Sequence, residues 1–213
     1  MRALILAALV ACSSSSHEPD GTYAGRPIAP TMSYQGAAWL DRPERESREQ
    51  PEAVLDALHL APTDVVADVG AGTGYFTLRL AKRVAHVIAT DVQPEMRAAL
   101  GTRAHELPNV EVRTATPRDS GLAAGCCDLV LLVDVYHELA DPPAVMATIR
   151  AALRPRGRLA LVEYRAEDPA VPIKPEHKMA LAQIKRELTA LGFVFVESLE
   201  MLPDQRIVIF TSR

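Results

Sequence analysis

The apolar residues of this chain gather into short, nearly unbroken runs, with stretches of helical spacing between them. Val65 to Val69, Val87 to Asp91, Asp128 to Asp134 and Arg158 to Tyr164 are such runs, and Val110 to Arg113 is a shorter one. A strand that is apolar on both faces belongs in a parallel sheet covered by helices. The intervening pieces read as those helices. Val54, Leu55 and Leu58 share a face over about Pro51 to His59, and Pro94 opens a helix after Gln93. Asp141-Pro142-Pro143 reads as an N-cap with proline in the first turn, followed by Val145, Met146, Ile149 and Leu153. Lys174 to Leu191 predicts an amphipathic helix with Met179, Ala182, Leu188 and Leu191 on its apolar side, closed by Gly192. Phe193 to Ser198 and Arg206 to Phe210 are β-rich and joined through Pro203-Asp204-Gln205, which predicts an antiparallel pair. Strands alternating with helices predict an α/β fold with a doubly wound sheet.

The informative polar residues sit where these runs end, and open α/β sheets bind ligands beyond the C-terminal ends of their strands. After the first run comes Asp68-Val69-Gly70-Ala71-Gly72-Thr73-Gly74. Glycines at alternate positions let the backbone turn sharply and bring it close to a ligand. The unpaired N–H groups of a following helix favour a carboxylate or phosphate. A dinucleotide fingerprint, Gly-x-Gly-x-x-Gly counted from Gly70, would need its third glycine at Tyr75. The second run ends in Asp91, and an acid there takes both hydroxyls of a ribose; capping the helix at Pro94 is the plainer alternative.

The acid-x-Gly-x-Gly-x-Gly turn resembles motif I of the class I methyltransferases that use S-adenosyl-L-methionine. Asp91-Val92-Gln93-Pro94-Glu95-Met96 and the strand running into Val135-Tyr136-His137-Glu138-Leu139 are similar to the same family. The resemblance covers about Gly36 to Phe210 and points to cofactor and fold rather than to substrate. It implies a doubly wound, seven-stranded, mostly parallel sheet with a C-terminal antiparallel hairpin. It further implies that Asp68 helps hold the amino end of the methionine moiety, directly or through water. Gly70, Gly72 and Gly74 would clear room for the cofactor, and Asp91 and Val92 would meet its ribose side. Many relatives place an adenine-binding acid just after the third strand, and the acid of that loop in this chain is Asp119. The usual Pro-Gly-Gly turn before the fifth strand reads Pro155-Arg156-Gly157, a change expected in turn type and not in fold.

Methyl transfer from a sulfonium is an in-line displacement in which positioning supplies much of the catalysis. Where the acceptor must lose a proton, His137 is the first choice of base and Asp134 would orient the acceptor or the methionine end. Glu138 or Tyr136 would assist; alternatively, His137 and Glu138 only cap and solvate the loop. Upstream, Trp39 is placed to wall the substrate pocket, with Arg42 or Arg45 meeting a carboxylate, or else to pack beside a solvated helix. Two other functions fit the same motifs. One is a cofactor-binding cell-envelope protein without turnover, and the other is an NAD(P)-dependent oxidoreductase, which leaves Tyr75 unexplained.

Composition narrows the partners. The 213 residues suit one α/β domain with a leader, and 48% hydrophobic content supports a full core. A net charge of −4, with Arg scattered among acids, argues against a nucleic-acid surface. With no second domain, basic groove or metal-ligand spacing, a small-molecule acceptor is expected, or a protein side chain, and no metal. Cys126 and Cys127 are adjacent, which rarely suits a disulfide, and read as half-buried thiols.

The start of the chain is a separate signal. Met1-Arg2 is a short basic region, Ala3 to Val10 is apolar, and Leu9-Val10-Ala11-Cys12 resembles the lipoprotein box of bacterial signal peptides. The apolar run is shorter than the roughly 20 residues that span a bilayer. The expected organisation is a leader over residues 1–12, a flexible Ser/Pro/Gly-rich linker over 13–33 and the catalytic domain over 34–213. A lipidated Cys12 would be the membrane contact of a periplasm-facing lipoprotein, expected at the outer membrane; a leader that is not functional would leave the protein in the cytoplasm.

Overall fold

The computed structural model describes residues 21–212; the Leu9 to Cys12 box lies outside the described residues. The parallel strands are β3 (Val65–Val69), β4 (His86–Asp91), β5 (Val110–Thr114), β6 (Cys127–Val133) and β7 (Leu153–Arg165). The antiparallel pair is β9 (Phe193–Leu199) and β10 (Gln205–Ser212), and the sheet order is β5-β4-β3-β6-β7-β10-β9. The expected doubly wound, seven-stranded architecture is therefore present, with a two-residue strand β8 (Lys178–Met179) added beside the end of β7. The chain runs outward from β3 to β5 and then returns to β6 on the other side of β3. That reversal is the topological switch point, and it opens a crevice at the ends of β3 and β6.

The strands are buried on both faces, as their unbroken apolar runs require. Along β6, Val130 and Leu132 pack with Val145, Met146 and Ile149 of α6 (Pro142–Ala152) and with Ile184 and Leu188 of α7 (Leu181–Ala190). Leu129 and Leu131 point the other way, into a cluster with Val54 and Leu55 of α3 (Pro51–Ala57) and Leu80 of α4 (Thr77–Leu80). Asp141 caps α6 as expected, its carboxylate accepting from the Ala144 N–H at 3.1 Å. Among the described residues no helix is long and apolar enough to cross a membrane.

Three expectations change. The helix predicted from Lys174 begins only at Leu181, because Pro175–His177 forms a 3-10 turn and Lys178–Met179 pairs with β7. Met179 serves the core from that strand and not from a helix face. The helix after the glycine turn is short, Thr77–Leu80. Over its described part, the linker expected at 13–33 is ordered chain. Thr22–Tyr23 (β1) and Arg26–Pro27 (β2) make a hairpin, and Ile28 and Ala29 are buried. Its anchor is the Arg26 guanidinium, 3.0 Å from Glu187 of α7, and the Ala29 N–H donates to the His137 carbonyl. Partners so distant in sequence leave no trace in local composition. Two short helices follow, α1 (Ala37–Leu40) and α2 (Glu44–Arg48), and α5 (Pro94–Arg103) covers β4 and β5.

The Pro155-Arg156-Gly157 turn, expected before the fifth strand, lies inside β7 where its register against β6 shifts, and it carries strain. Arg156 sits at φ 69°, a left-handed conformation that costs a non-glycine residue about 1–2 kcal/mol. Arg156→Gly relieves that cost and gives part of it back through a floppier unfolded chain. It is expected to raise stability by roughly 0.5–1 kcal/mol, read as a higher urea midpoint at unchanged slope; a lower midpoint contradicts it.

Candidate active site

Beyond the C-terminal ends of β3, β4, β6 and β7 lies a cleft of about 740 Å³. Ligand sites occupy roughly 300–1,000 Å³. Its floor is the turn after β3. Gly70, Gly72 and Gly74 all have positive φ (73°, 55° and 90°), which admits glycine with little strain. The turn is held to the end of β4: the N–H groups of Gly70 and Ala71 donate to the Thr90 carbonyl at 2.8 and 3.0 Å. The Gly72 N–H donates to Asp91 Oδ2 at 2.9 Å, and Asp91 Oδ1 accepts from Gln93 N–H at 2.8 Å. Burial raises the pKa of the Asp91 carboxyl, against the pull of those N–H groups.

Gly70, Gly72, Asp91, Val92, Asp119, Asp134 and His137 all line the cleft. Asp68 and Gly74 do not. The Asp68 side chain is turned behind the turn, where Oδ2 accepts from the Thr77 hydroxyl at 2.6 Å. Its expected contact with the methionine end becomes a role in fixing the turn to α4. Gly74 faces Leu100, whose Cδ1 would lie 2.2 Å from an added Cβ, so this glycine serves helix packing. Asp119 stands exposed at the rim, with Oδ1 accepting from Gly121 N–H at 2.9 Å.

The upstream segment folds over this floor. Leu40 Cδ1 would lie 2.7 Å from a Cβ on Gly72, and Met32 is tied on both sides. Its carbonyl accepts from Gln93 Nε2 at 2.9 Å, and its N–H reaches Glu138 Oε2 at 3.4 Å. Trp39 lines the cleft, with the Arg42 guanidinium 3.8 Å above its ring. Arg42 and Arg45 are both committed to Glu49, at 2.6 and 2.5 Å, and not left for a substrate carboxylate.

At the other end, the buried His137 donates from Nδ1 to Glu163 Oε2 at 2.6 Å, while Glu163 Oε1 accepts from the Tyr136 N–H at 3.0 Å. Nε2 of His137 lies 3.1 Å from His177 Nδ1. Burial disfavours the imidazolium, but Glu163 outweighs it and lifts the His137 pKa to about 9. His137 is thus in the cleft as expected, yet holds its proton near neutrality, which is unlike a base. Asp134, at φ 54°, accepts from Gln205 Nε2 at 2.7 Å, and burial pushes its carboxyl well above the usual range. The Tyr136 hydroxyl donates to Glu187 at 2.8 Å, away from any assisting role. Sequence reasoning assigned no role to Glu163 or His177. An acid ending a parallel strand, as Asp91 does, is the signal that marks Glu163. Cys127 is buried and Cys126 half-buried, both free, and burial raises the Cys127 thiol pKa.

Residues 67–161 match a family model described as a methyltransferase domain. An uncharacterized methyltransferase-like protein of Schizosaccharomyces pombe is 32% identical over 151 residues, covering 70% of this chain and 56% of the relative. The chain spans about half the length of the curated relatives it matches. Among solved structures, an S-adenosylmethionine-dependent methyltransferase from Aquifex aeolicus is 25% identical at a TM-score of 0.79, covering 84% of this chain and 98% of that one. The [4+2]-cyclase SpnF shares the fold at 16% identity and a TM-score of 0.65, covering 77% and 80%. The fold is that of the class I methyltransferases.

Asp68 supplies a pH test of the methyltransferase-type turn. Burial raises its pKa from 3.8 to about 6, against the Thr77 hydrogen bond. The folded state therefore binds the proton more tightly than the unfolded chain, and stability is lost as pH rises through about 4 to 6. Asp68→Asn keeps an oxygen for Thr77 and should remove that slope, leaving the variant up to about 2–3 kcal/mol more stable at pH 7.5. Urea unfolding at pH 4.5 and 7.5 reads the difference; parallel pH profiles for both proteins would refute the assignment.

Proposed function

We propose that this chain is an S-adenosyl-L-methionine-dependent methyltransferase acting on a small-molecule acceptor. The observation that carries the reading is the glycine turn sewn to Asp91 at the switch-point cleft, where open α/β sheets bind their ligands. The cofactor, when bound, supplies a methyl group on a sulfonium, with a neutral thioether as leaving group.

In this reading, Gly70 and Gly72 leave the floor bare and Asp91 takes the ribose hydroxyls. Half-exposed Val92 offers apolar contact, and the Thr116 to Asp119 rim meets the base. The segment from Pro30 to Leu40 keeps water out. His137, Glu138, His177 and Tyr164 border the acceptor end, where orientation and proximity do most of the catalytic work. The nicotinamide alternative is disfavoured because Tyr75, where its third glycine would stand, is buried and donates its hydroxyl to Glu46 at 2.7 Å. A [4+2]-cyclase has the same fold, so the fold by itself does not set the reaction.

Calorimetry is expected to show one-to-one binding of S-adenosylmethionine. Asp91→Ala should weaken it by about 2–3 kcal/mol, or roughly 30- to 150-fold, through loss of charge-assisted contacts. No heat at millimolar cofactor, or stabilisation by NAD alone, would sink the reading.

The location follows as a separate proposal. If Leu9 to Cys12 is read as a lipoprotein box, acylated Cys12 holds the domain at the membrane facing the periplasm, each buried CH₂ contributing about 0.8 kcal/mol. Cys12→Ser should then abolish labelling by a fatty-acid analogue and move the protein out of the membrane fraction. Wild-type protein found in the cytoplasm with Met1 attached is the contrary result.

A further inference from the structure

At the acceptor end of the cleft three potential metal ligands converge, which nothing in the sequence spacing announces. His137 Nε2 and His177 Nδ1 are 3.1 Å apart, and Glu138 Oε1 lies 3.9 Å from the first and 3.6 Å from the second. Bonds of about 2.0–2.1 Å to a tetrahedral ion place neighbouring ligand atoms roughly 3.3 Å apart. The observed separations bracket that value, so small side-chain rotations suffice. From this geometry we propose that His137, Glu138 and His177 form a binding site for one divalent transition ion of the zinc class.

Two further observations point the same way. Nδ1 of His137 is held by Glu163 at 2.6 Å, which fixes the ring and aims Nε2 at the shared point. A carboxylate behind a histidine is the usual outer support of a metal-bound imidazole. Glu138 divides its work: Oε2 faces the Met32 N–H, and Oε1 is the oxygen turned toward the two rings.

Two imidazoles and one carboxylate suit zinc-class ions and not magnesium or calcium, which prefer all-oxygen shells. Three protein ligands leave at least one position open, as in catalytic and not structural zinc sites. All three residues line the same cleft as Gly70 and Asp91, so the open position faces the space left for an acceptor. The chemistry that fits is a hydroxyl, phenol or thiol acceptor that coordinates as an anion. That role rests on the methyltransferase reading; the ion site itself does not.

The test uses the full chain after removal of metal with a chelating resin. Titration with Co²⁺ should give one saturable site with visible absorption bands of a four- or five-coordinate ion, displaced by Zn²⁺. His177→Ala and Glu138→Gln should each weaken Co²⁺ binding at least tenfold, while S-adenosylmethionine binding by His177→Ala, measured in parallel, stays within about threefold of wild type. Partly exposed His177 lies on a short surface turn, so its removal should leave the fold intact. Absence of a saturable site overturns the proposal and means that the two rings share only a proton. Binding unaltered in both variants overturns it as well, by moving the ion elsewhere. Loss of cofactor binding in wild type would count against the methyltransferase reading alone and leave the metal result standing.

Discussion

Everything at the cleft depends on how the turn after β3 is tied to the end of β4. Successive N–H groups of Gly70, Ala71 and Gly72 point at the Thr90 carbonyl and the Asp91 carboxylate. A buried N–H without an acceptor is costly, so these bonds fix the path of the turn. They also explain why the turn needs glycine for more than one reason. At Gly70 a side chain would strike Val135 across the switch point; at Gly72 it would strike the covering segment; at Gly74 it would strike α5. One short turn thus positions the floor, the opposite wall and the roof.

The ends of the parallel strands concentrate buried acids, and the protein stabilises each differently. Asp68 takes a hydroxyl, Asp91 backbone N–H groups, Asp134 an amide and Glu163 an imidazole. Burial disfavours the ionised forms of Asp68, Asp91 and Asp134, which a core designed only for stability would avoid. Such an arrangement is typical of sites where function is kept at some cost in stability. Asp134 illustrates this twice, since its left-handed backbone adds strain to an already buried carboxyl.

The sheet was legible in the sequence because burial on both faces writes itself as unbroken apolar runs, with Leu129 and Leu131 serving one layer and Val130 and Leu132 the other. The cleft residues Gly70, Gly72, Asp91, Asp134 and His137 were legible because they end or follow those runs. Orientation was not. Whether Asp68 faces the cofactor or Thr77 depends on side-chain rotamers. Long-range partners were also invisible: nothing near Arg26 announces Glu187, and nothing near Arg42 announces that Glu49 will claim it. The Lys174 stretch failed for a related reason. Its apolar spacing suits a helix, but Pro175 and the pairing of Lys178 and Met179 with β7 decide the local structure.

The roof connects the two halves of the cleft. Met32 is held from the cofactor side by Gln93, next to Asp91, and from the acceptor side by Glu138, next to His137. A ligand entering at either end must therefore displace the same segment. Each of these hydrogen bonds contributes on the order of 1 kcal/mol net, so opening is energetically accessible. The deeper anchors resist it: Arg45 reaches the Leu40 carbonyl at 2.7 Å and lies 4.0 Å above the Tyr75 ring, and Arg26 is paired with Glu187. The weakly held part of the cover thus lies between two firmly held ends. Such a segment opens locally without unfolding the hairpin or α2, and it does so directly over the crevice that the strand order creates.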